Sequence, residues 1–312
     1  MSRVIFMGTP DFAVPALKAL AASGVTIPAV VTQPDKPKGR KGEPAPSPVK
    51  EEALRLSLPV LQPVKCREEA FIEEMRALSP DLIVVAAYGQ IIPRSLLELP
   101  LRGCVNLRAS LRPASRGASP IQHAILDGLE ETGVTLMQMG EGLDTGDILR
   151  VVKVPIEAED TGGSLFDKLA EAGAELLSAS LEDLLSGNVN PTPQPKESTT
   201  PYARMITKEM GELHFDEEPM KLHNQVRALS PWPSAYTRVR GKLLKVWKSV
   251  PVTDLSIEST PGTVLDTGKN GILVSCRGGG LLLTEVQIEG KKRMKSEDFL
   301  RGFDLEKGEV LG

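Results

Sequence analysis

The chain is poor in the residues that staple small proteins or hold metals, with 3 cysteines and 3 histidines among its 312 positions. Cys66, Cys104 and Cys276 are odd in number, widely spaced and without a CxxC pair, which argues against a disulfide framework and for inert thiols. His123, His214 and His223 show no HExxH or comparable spacing, so no protein-bound metal is expected. No apolar run approaches the roughly 18 residues a membrane-spanning helix needs. The N-terminal apolar run is cut short by Gly8 and Pro10 and has no secretory h-region, so the expected compartment is the cytoplasm. Neither GxGxxG nor a P-loop is present, which removes the usual warrants for dinucleotide or triphosphate binding.

What is present fits two soluble domains, with 25% charged and 41% hydrophobic residues and a net charge of −4. Residues 201–312 carry 17 Lys/Arg and 15 Asp/Glu, or +2, which leaves 20 and 26, or −6, for residues 1–200. An acidic first half with local basic patches argues against a nonspecific nucleic-acid coat and directs any RNA contact to particular cations.

Short continuous apolar runs at Val4–Met7, Ala29–Thr32, Leu82–Ala87 and Cys104–Asn106 alternate with helical patterns at Val14–Ala22, Val49–Leu56 and Glu68–Leu78. That alternation predicts an α/β fold with a mostly parallel, doubly wound, Rossmann-like sheet, whose site lies beyond the strands' carboxyl ends. A leucine stripe predicts a long helix from Ser164 to about Leu185, stopped by Gly187. Residues 190–207, with Pro191, Pro193 and Pro195, read as a linker between domains at 1–189 and 208–312. After it, segments at Ala235–Val239, Leu243–Val246, Gly262–Leu265, Gly271–Cys276 and Gly280–Val286, punctuated by Gly and Asn turns, predict a small OB-like β-barrel.

Four cations fall within Lys36–Lys41 (Lys36, Lys38, Arg40, Lys41), where Pro37 and Gly39 break any helix. Such a basic loop attracts a phosphate backbone, although runs of this kind are more often simply solvated. Leu82–Pro93 reads as a buried strand ending in Tyr88 and Gly89, a place where freed backbone groups can bond a flat heterocycle or pack as ordinary core. The densest polar constellation is Asn106–Gly117 with Gly142–Asp147. The Asn106 amide suits a developing oxyanion, and Asp144 suits the proton of an attacking amine, parts fitted to acyl transfer.

These stretches carry a resemblance. Phe6–Ala13, Thr32–Pro37, Ser47–Lys50, Ala87–Gly89, Arg116–Ala118 with Pro120–Gln122, and Glu131–Thr135 running to Gly142–Asp147 resemble the methionyl-tRNA formyltransferase family. So do Arg227-Ala228 with Pro231–Pro233, Lys245–Trp247 and Gly290–Met294, so the likeness runs from end to end. It implies 10-formyltetrahydrofolate as formyl donor and methionyl initiator tRNA as acceptor; a monomer is the default expectation, and no metal is expected from the histidine and cysteine spacing. It also implies catalytic roles at Asn106 and Asp144 and a folate pocket bordered by Ala87, Tyr88, Gly89 and Gln90 with Ser110, Leu111, Arg112 and Pro113. The tRNA is expected against Lys36, Lys38, Arg40 and Lys41, with Lys208, Arg227, Lys245, Lys291 and Lys292 adding contacts from the second domain. One departure stands out: the family's Asn-x-His spacing puts a catalytic histidine where this chain has Arg108. Arginine stays protonated, so it can donate to the formyl oxygen or pair with Asp144, but it cannot accept a proton as neutral imidazole does. A formyltransferase acting on a sugar nucleotide or free metabolite, or a silent tRNA- or folate-binding protein, are the rival readings.

Overall fold

A computed structural model describes residues 1–38, 42–142, 145–195, 197–253 and 259–312. The chain forms two compact units, the first of Met1–Arg116, Glu131–Pro155 and Phe166–Tyr202, the second of Gly117–Glu130, Ile156–Leu165 and Ala203–Gly312.

In chain order the first unit contains β1 (Val4–Gly8), α1 (Val14–Ala22), β2 (Val30–Val31), β3 (Lys36–Lys38), β4 (Glu43–Ala45), α2 (Pro48–Arg55), β5 (Val60–Leu61), α3 (Glu69–Ala77), β6 (Leu82–Ala86), α4 (Arg94–Leu97) and β7 (Cys104–Arg108). After α5 (Pro120–Leu126), which belongs to the second unit, come β8 (Glu131–Gln138), β9 (Ile148–Pro155) and α6 (Gly162–Ser186), most of which returns to the first. The main sheet runs β5-β2-β1-β6-β7-β8-β9. Its first five strands are parallel, and β8 and β9 are antiparallel additions. Strands β1 and β6 are buried along their whole length, as a parallel strand covered on both faces must be. Strand order reverses between β1 and β6, so the crevice past their carboxyl ends is the switch point where such sheets take ligands.

Local signals explain the helix ends. The Ser47 hydroxyl accepts the Lys50 N–H at 3.0 Å and Pro48 opens α2, a cap with its preferred first residue. Gly187 follows α6 with φ +81°, the left-handed stop expected of glycine. The described residues on either side of 39–41 pair despite their prolines: β3 and β4 run antiparallel, Lys36 with Ala45 and Lys38 with Glu43. Pro37 faces Pro44 across the pair. Alternate pairs of an antiparallel ladder exchange no hydrogen bonds, so two opposed prolines leave the β3–β4 pairing intact.

The second unit adds α7 (Pro219–Ala228), β10 (Ala235–Val239), β11 (Lys242–Val252), β12 (Val264–Gly268), β13 (Gly271–Cys276), β14 (Gly279–Ile288), β15 (Met294–Lys295) and α8 (Ser296–Gly302). Its sheet is antiparallel throughout, in the order β10-β11-β14-β13-β12 with β15 on β14. An α/β domain with a β domain is thus the architecture found. No ladder joins β12 to β10 among the described residues; instead Leu311 N–H bonds Gly262 O at 2.9 Å and Gly312 N–H bonds Arg238 O at 3.0 Å. Leu222, Val226, Leu244, Val274, Leu283, Val286 and Phe299 belong to its buried core. Among the described residues no helix is long and apolar enough to cross a membrane, and no group of three His, Cys, Asp or Glu could hold a metal ion.

Candidate active site

Asn106 and Arg108 are two residues apart on β7, so their side chains leave the same face of the sheet. Asn106 pairs with Val85 of β6 on one side and Met137 of β8 on the other. Beyond these strands lies a cavity of about 310 Å³ lined by Val85, Ala87–Ile92, Asn106, Arg108 and Met139–Gly142. Asn106 is buried, and its Oδ1 meets no hydrogen-bond donor among the described residues. A buried acceptor without a partner is costly, and a site that receives a ligand is where such a cost is kept.

The turn after β6 forms the opposite wall. Ala87 has φ +48° and Gly89 has φ +88°, so the chain reverses sharply around Tyr88. The Tyr88 carbonyl accepts the Thr9 hydroxyl at 2.9 Å and the Gln33 side-chain N–H at 3.0 Å. Gln90 is held from outside: its Oε1 accepts the Cys66 N–H at 2.9 Å, and its Nε2 donates to Val64 O at 3.3 Å. Burial pushes the Tyr88 phenol well above its ordinary value, and the Cys66 thiol, also buried, rises for the same reason. Both stay neutral near pH 7, so neither offers a base to the cavity.

The structure brings together Asn106, Arg108, Ala87, Tyr88, Gly89 and Gln90 from the expected set. Ser110, Leu111, Arg112 and Pro113 do not line this cavity; they continue from β7, where Thr135 Oγ1 donates to Ser110 O at 2.7 Å and accepts the Arg112 N–H at 3.2 Å. Asp144 lies outside the described residues, as do Arg40 and Lys41. Met139, Gly140 and Glu141 are lining residues that sequence reading passed over; Glu141 pairs with Arg94 at 3.1 Å. Their only sequence signal is adjacency to the Gly142–Asp147 motif.

The cations are distributed unevenly. Lys36 is exposed on β3, Lys38 occupies the same strand, and Lys208 is exposed ahead of a short 3₁₀ turn. In the second unit Lys245 Nζ sits 5.6 Å from the Trp247 ring centroid and the Arg293 guanidinium 4.7 Å from it, while exposed Lys291 and Lys292 precede Arg293. Trp247 is fixed by its Nε1 donating to Gln287 at 3.1 Å. Arg227 differs, since its guanidinium donates to the carbonyls of Glu157 and Asp160 at 3.2 and 2.9 Å and to Asn224 at 2.8 Å. Its partial burial lowers its pKa by desolvation, the mark of a cation used in packing.

The formyl transferase family model matches residues 2–181, and the formyl transferase C-terminal domain model matches residues 205–304. The methionyl-tRNA formyltransferase of Lachnospira eligens is 50% identical over 314 residues, covering 99% of both chains. That of Bacillus subtilis is 50% identical over 313 residues, covering 100% of this chain and 98% of its own. Among solved structures, the sugar 3N-formyl transferase WlaRD aligns with a TM-score of 0.67 at 19% identity, over 94% of this chain and 99% of its own. An N-formyltransferase from Helicobacter canadensis aligns with a TM-score of 0.69 at 18% identity, over 94% and 100%. The two solved structures share the fold, and the two full-length relatives share half their residues with it: the chain belongs to the formyl transferase family, on its methionyl-tRNA formyltransferase branch.

Proposed function

We propose that this protein transfers the formyl group of 10-formyltetrahydrofolate to the free amino group of methionyl initiator tRNA, giving N-formylmethionyl-tRNA for translation initiation. The observation that carries the reading is the cavity at the ends of β6 and β7, where a buried amide with an unpartnered oxygen, a cation and a strand-end turn converge. The full-length likeness to methionyl-tRNA formyltransferases supplies the substrates.

The neutral amine of methionine attacks the formyl carbon. A new C–N bond forms, the bond to the folate nitrogen breaks, and the proton shed by the amine ends on the departing nitrogen. The Asn106 N–H₂, with Arg108, donates to the oxygen as it becomes negative, an interaction worth about 3 to 4 kcal/mol when preorganised. Asp144 carries the proton. No covalent enzyme intermediate is required. The Ala87–Gln90 turn holds the folate, and Ser110–Pro113, which follow β7 outside the lined cavity, border the donor beyond it.

Residues 1–189 perform donor binding and chemistry, 190–207 link, and 208–312 help hold the tRNA. Lys36, Lys38, Arg40 and Lys41 on and beyond β3 meet the acceptor arm, and Lys208, Lys245, Lys291 and Lys292 add charge from the second domain. Arg227, given its internal bonds, supports the second unit rather than contacting RNA directly. The enzyme works as a monomer in the cytoplasm. Incubating the purified chain with 10-formyltetrahydrofolate and charged initiator tRNA, then separating formylated from unformylated product, tests the reading. Formylation that falls steeply with added salt supports it; no product with tRNA but turnover on an amino-sugar nucleotide overturns it.

A further inference from the structure

The turn that walls the cavity is built in a way that an ordinary strand-end turn is not. The positive φ of Ala87, +48°, is a sparsely populated conformation for a residue with a Cβ, which persists only when neighbours over-determine it, while Gly89 takes φ +88° at no such cost. What fixes the turn here is one atom, the Tyr88 carbonyl oxygen, on which two donors from two different loops converge. Thr9 follows β1 and Gln33 follows β2; their donors reach that oxygen at 2.9 and 3.0 Å. With both lone pairs occupied, the carbonyl is committed to Thr9 and Gln33. The N–H groups of Gly89 and Gln90 donate to no described residue.

Gln33 is itself held from behind. Its N–H lies 3.4 Å from the Thr9 hydroxyl, and its own carbonyl accepts Gln62 Nε2 at 3.1 Å. Gln62 also bonds Asp35 Oδ1 at 2.7 Å, and Lys50 bonds both Asp35 oxygens at 2.9 and 2.8 Å. The fit is close from the other side as well, because a Cβ at position 89 would stand 2.2 Å from Gln33 Nε2. We infer that Thr9 and Gln33, neither of which lines the cavity, are positioning residues for donor binding: they fix the Tyr88 carbonyl and thereby the turn whose free N–H groups face the folate. This rests on the functional reading above, in which the cavity takes the donor.

The test uses the full chain in four forms, wild type, Thr9→Val, Gln33→Met and the double variant, with Thr9→Ser as the conservative control. Two quantities are read: the Kd for tetrahydrofolate by titration, and the donor KM and kcat in formyl transfer. Each single variant is expected to raise the donor Kd and KM by about three- to tenfold, the worth of one hydrogen bond. The double variant raises them by more than the product of the two, since it leaves a carbonyl with no donor. Throughout, kcat holds, and Thr9→Ser behaves as wild type. Unchanged Kd and KM in the double variant would overturn the inference, as would a fall in kcat alongside a lowered Tm with donor affinity intact. Wild-type protein that does not bind tetrahydrofolate would instead remove the functional reading, and this inference with it.

Discussion

Replacing Gly89 with alanine should damage the donor site by an amount the structure lets one work out. Gly89 sits at φ +88°, where an L side chain costs about 1 to 2 kcal/mol. The new Cβ would lie 2.2 Å from Gln33 Nε2, so the amide must swing off the Tyr88 carbonyl and lose a hydrogen bond worth about 1 kcal/mol. The sum is about 2 to 3 kcal/mol. Gly24 provides the control, because it has φ +81° in the same unit and nothing within 4 Å of its Cβ. Gly24→Ala should therefore carry the backbone cost alone. Urea unfolding of the two variants and wild type, analysed through the transition midpoints, gives the difference, and tetrahydrofolate titration shows whether the cavity changed. Equal losses of stability in the two variants, with donor affinity untouched in Gly89→Ala, would refute the reasoning.

Other consequences follow from single residues. Arg108→His should speed formyl transfer in single turnover, because imidazole can pass a proton and guanidinium cannot; an equal or slower rate would count against a proton role at this position. Lys36→Ala should weaken tRNA binding and reduce the salt slope of log Kd by about one, with donor affinity unchanged. His223 has its pKa lowered chiefly by desolvation and next by Arg227, opposed by Glu159 and by Ser249, whose hydroxyl lies 3.0 Å from Nδ1. Since the unfolded chain takes up that proton first, its contribution to stability is complete above the ordinary histidine range and is lost as pH falls through the folded value. The stability of His223→Gln should accordingly depend less on pH just below about 6.5, the ordinary histidine value, than that of wild type.

Much of this fold was legible because its signals are local. Val14–Ala22 forms the helix its pattern predicts, and the continuous apolar runs at Val4 and Leu82 become fully buried parallel strands. The antiparallel strands β8 and β9 went unread: Glu131–Gln138 mixes Thr and Gly with apolar residues, whereas β9, Ile-Leu-Arg-Val-Val-Lys-Val-Pro, has a strand's composition but a half-exposed pattern unlike the buried runs of a parallel sheet. The β3–β4 pairing was hidden by the prolines that its register tolerates. At the site, Asn106 and the Ala87–Gln90 turn could be picked out as polar groups at strand ends. Thr9 and Gln33 could not be, because each meets Tyr88 across 79 and 55 positions of sequence. Arg227 looked like a surface cation for the same reason: the carbonyls it holds lie 70 and 67 positions away.

Formyl transfer in this site depends first on the Asn106 amide, which donates to the formyl oxygen as charge develops there. Single-turnover formylation of methionyl initiator tRNA by Asn106→Ala, with tetrahydrofolate affinity measured on the same protein, tests this directly. A rate lowered by about 10²- to 10³-fold with donor binding retained is the expected result. A rate equal to that of wild type would contradict it.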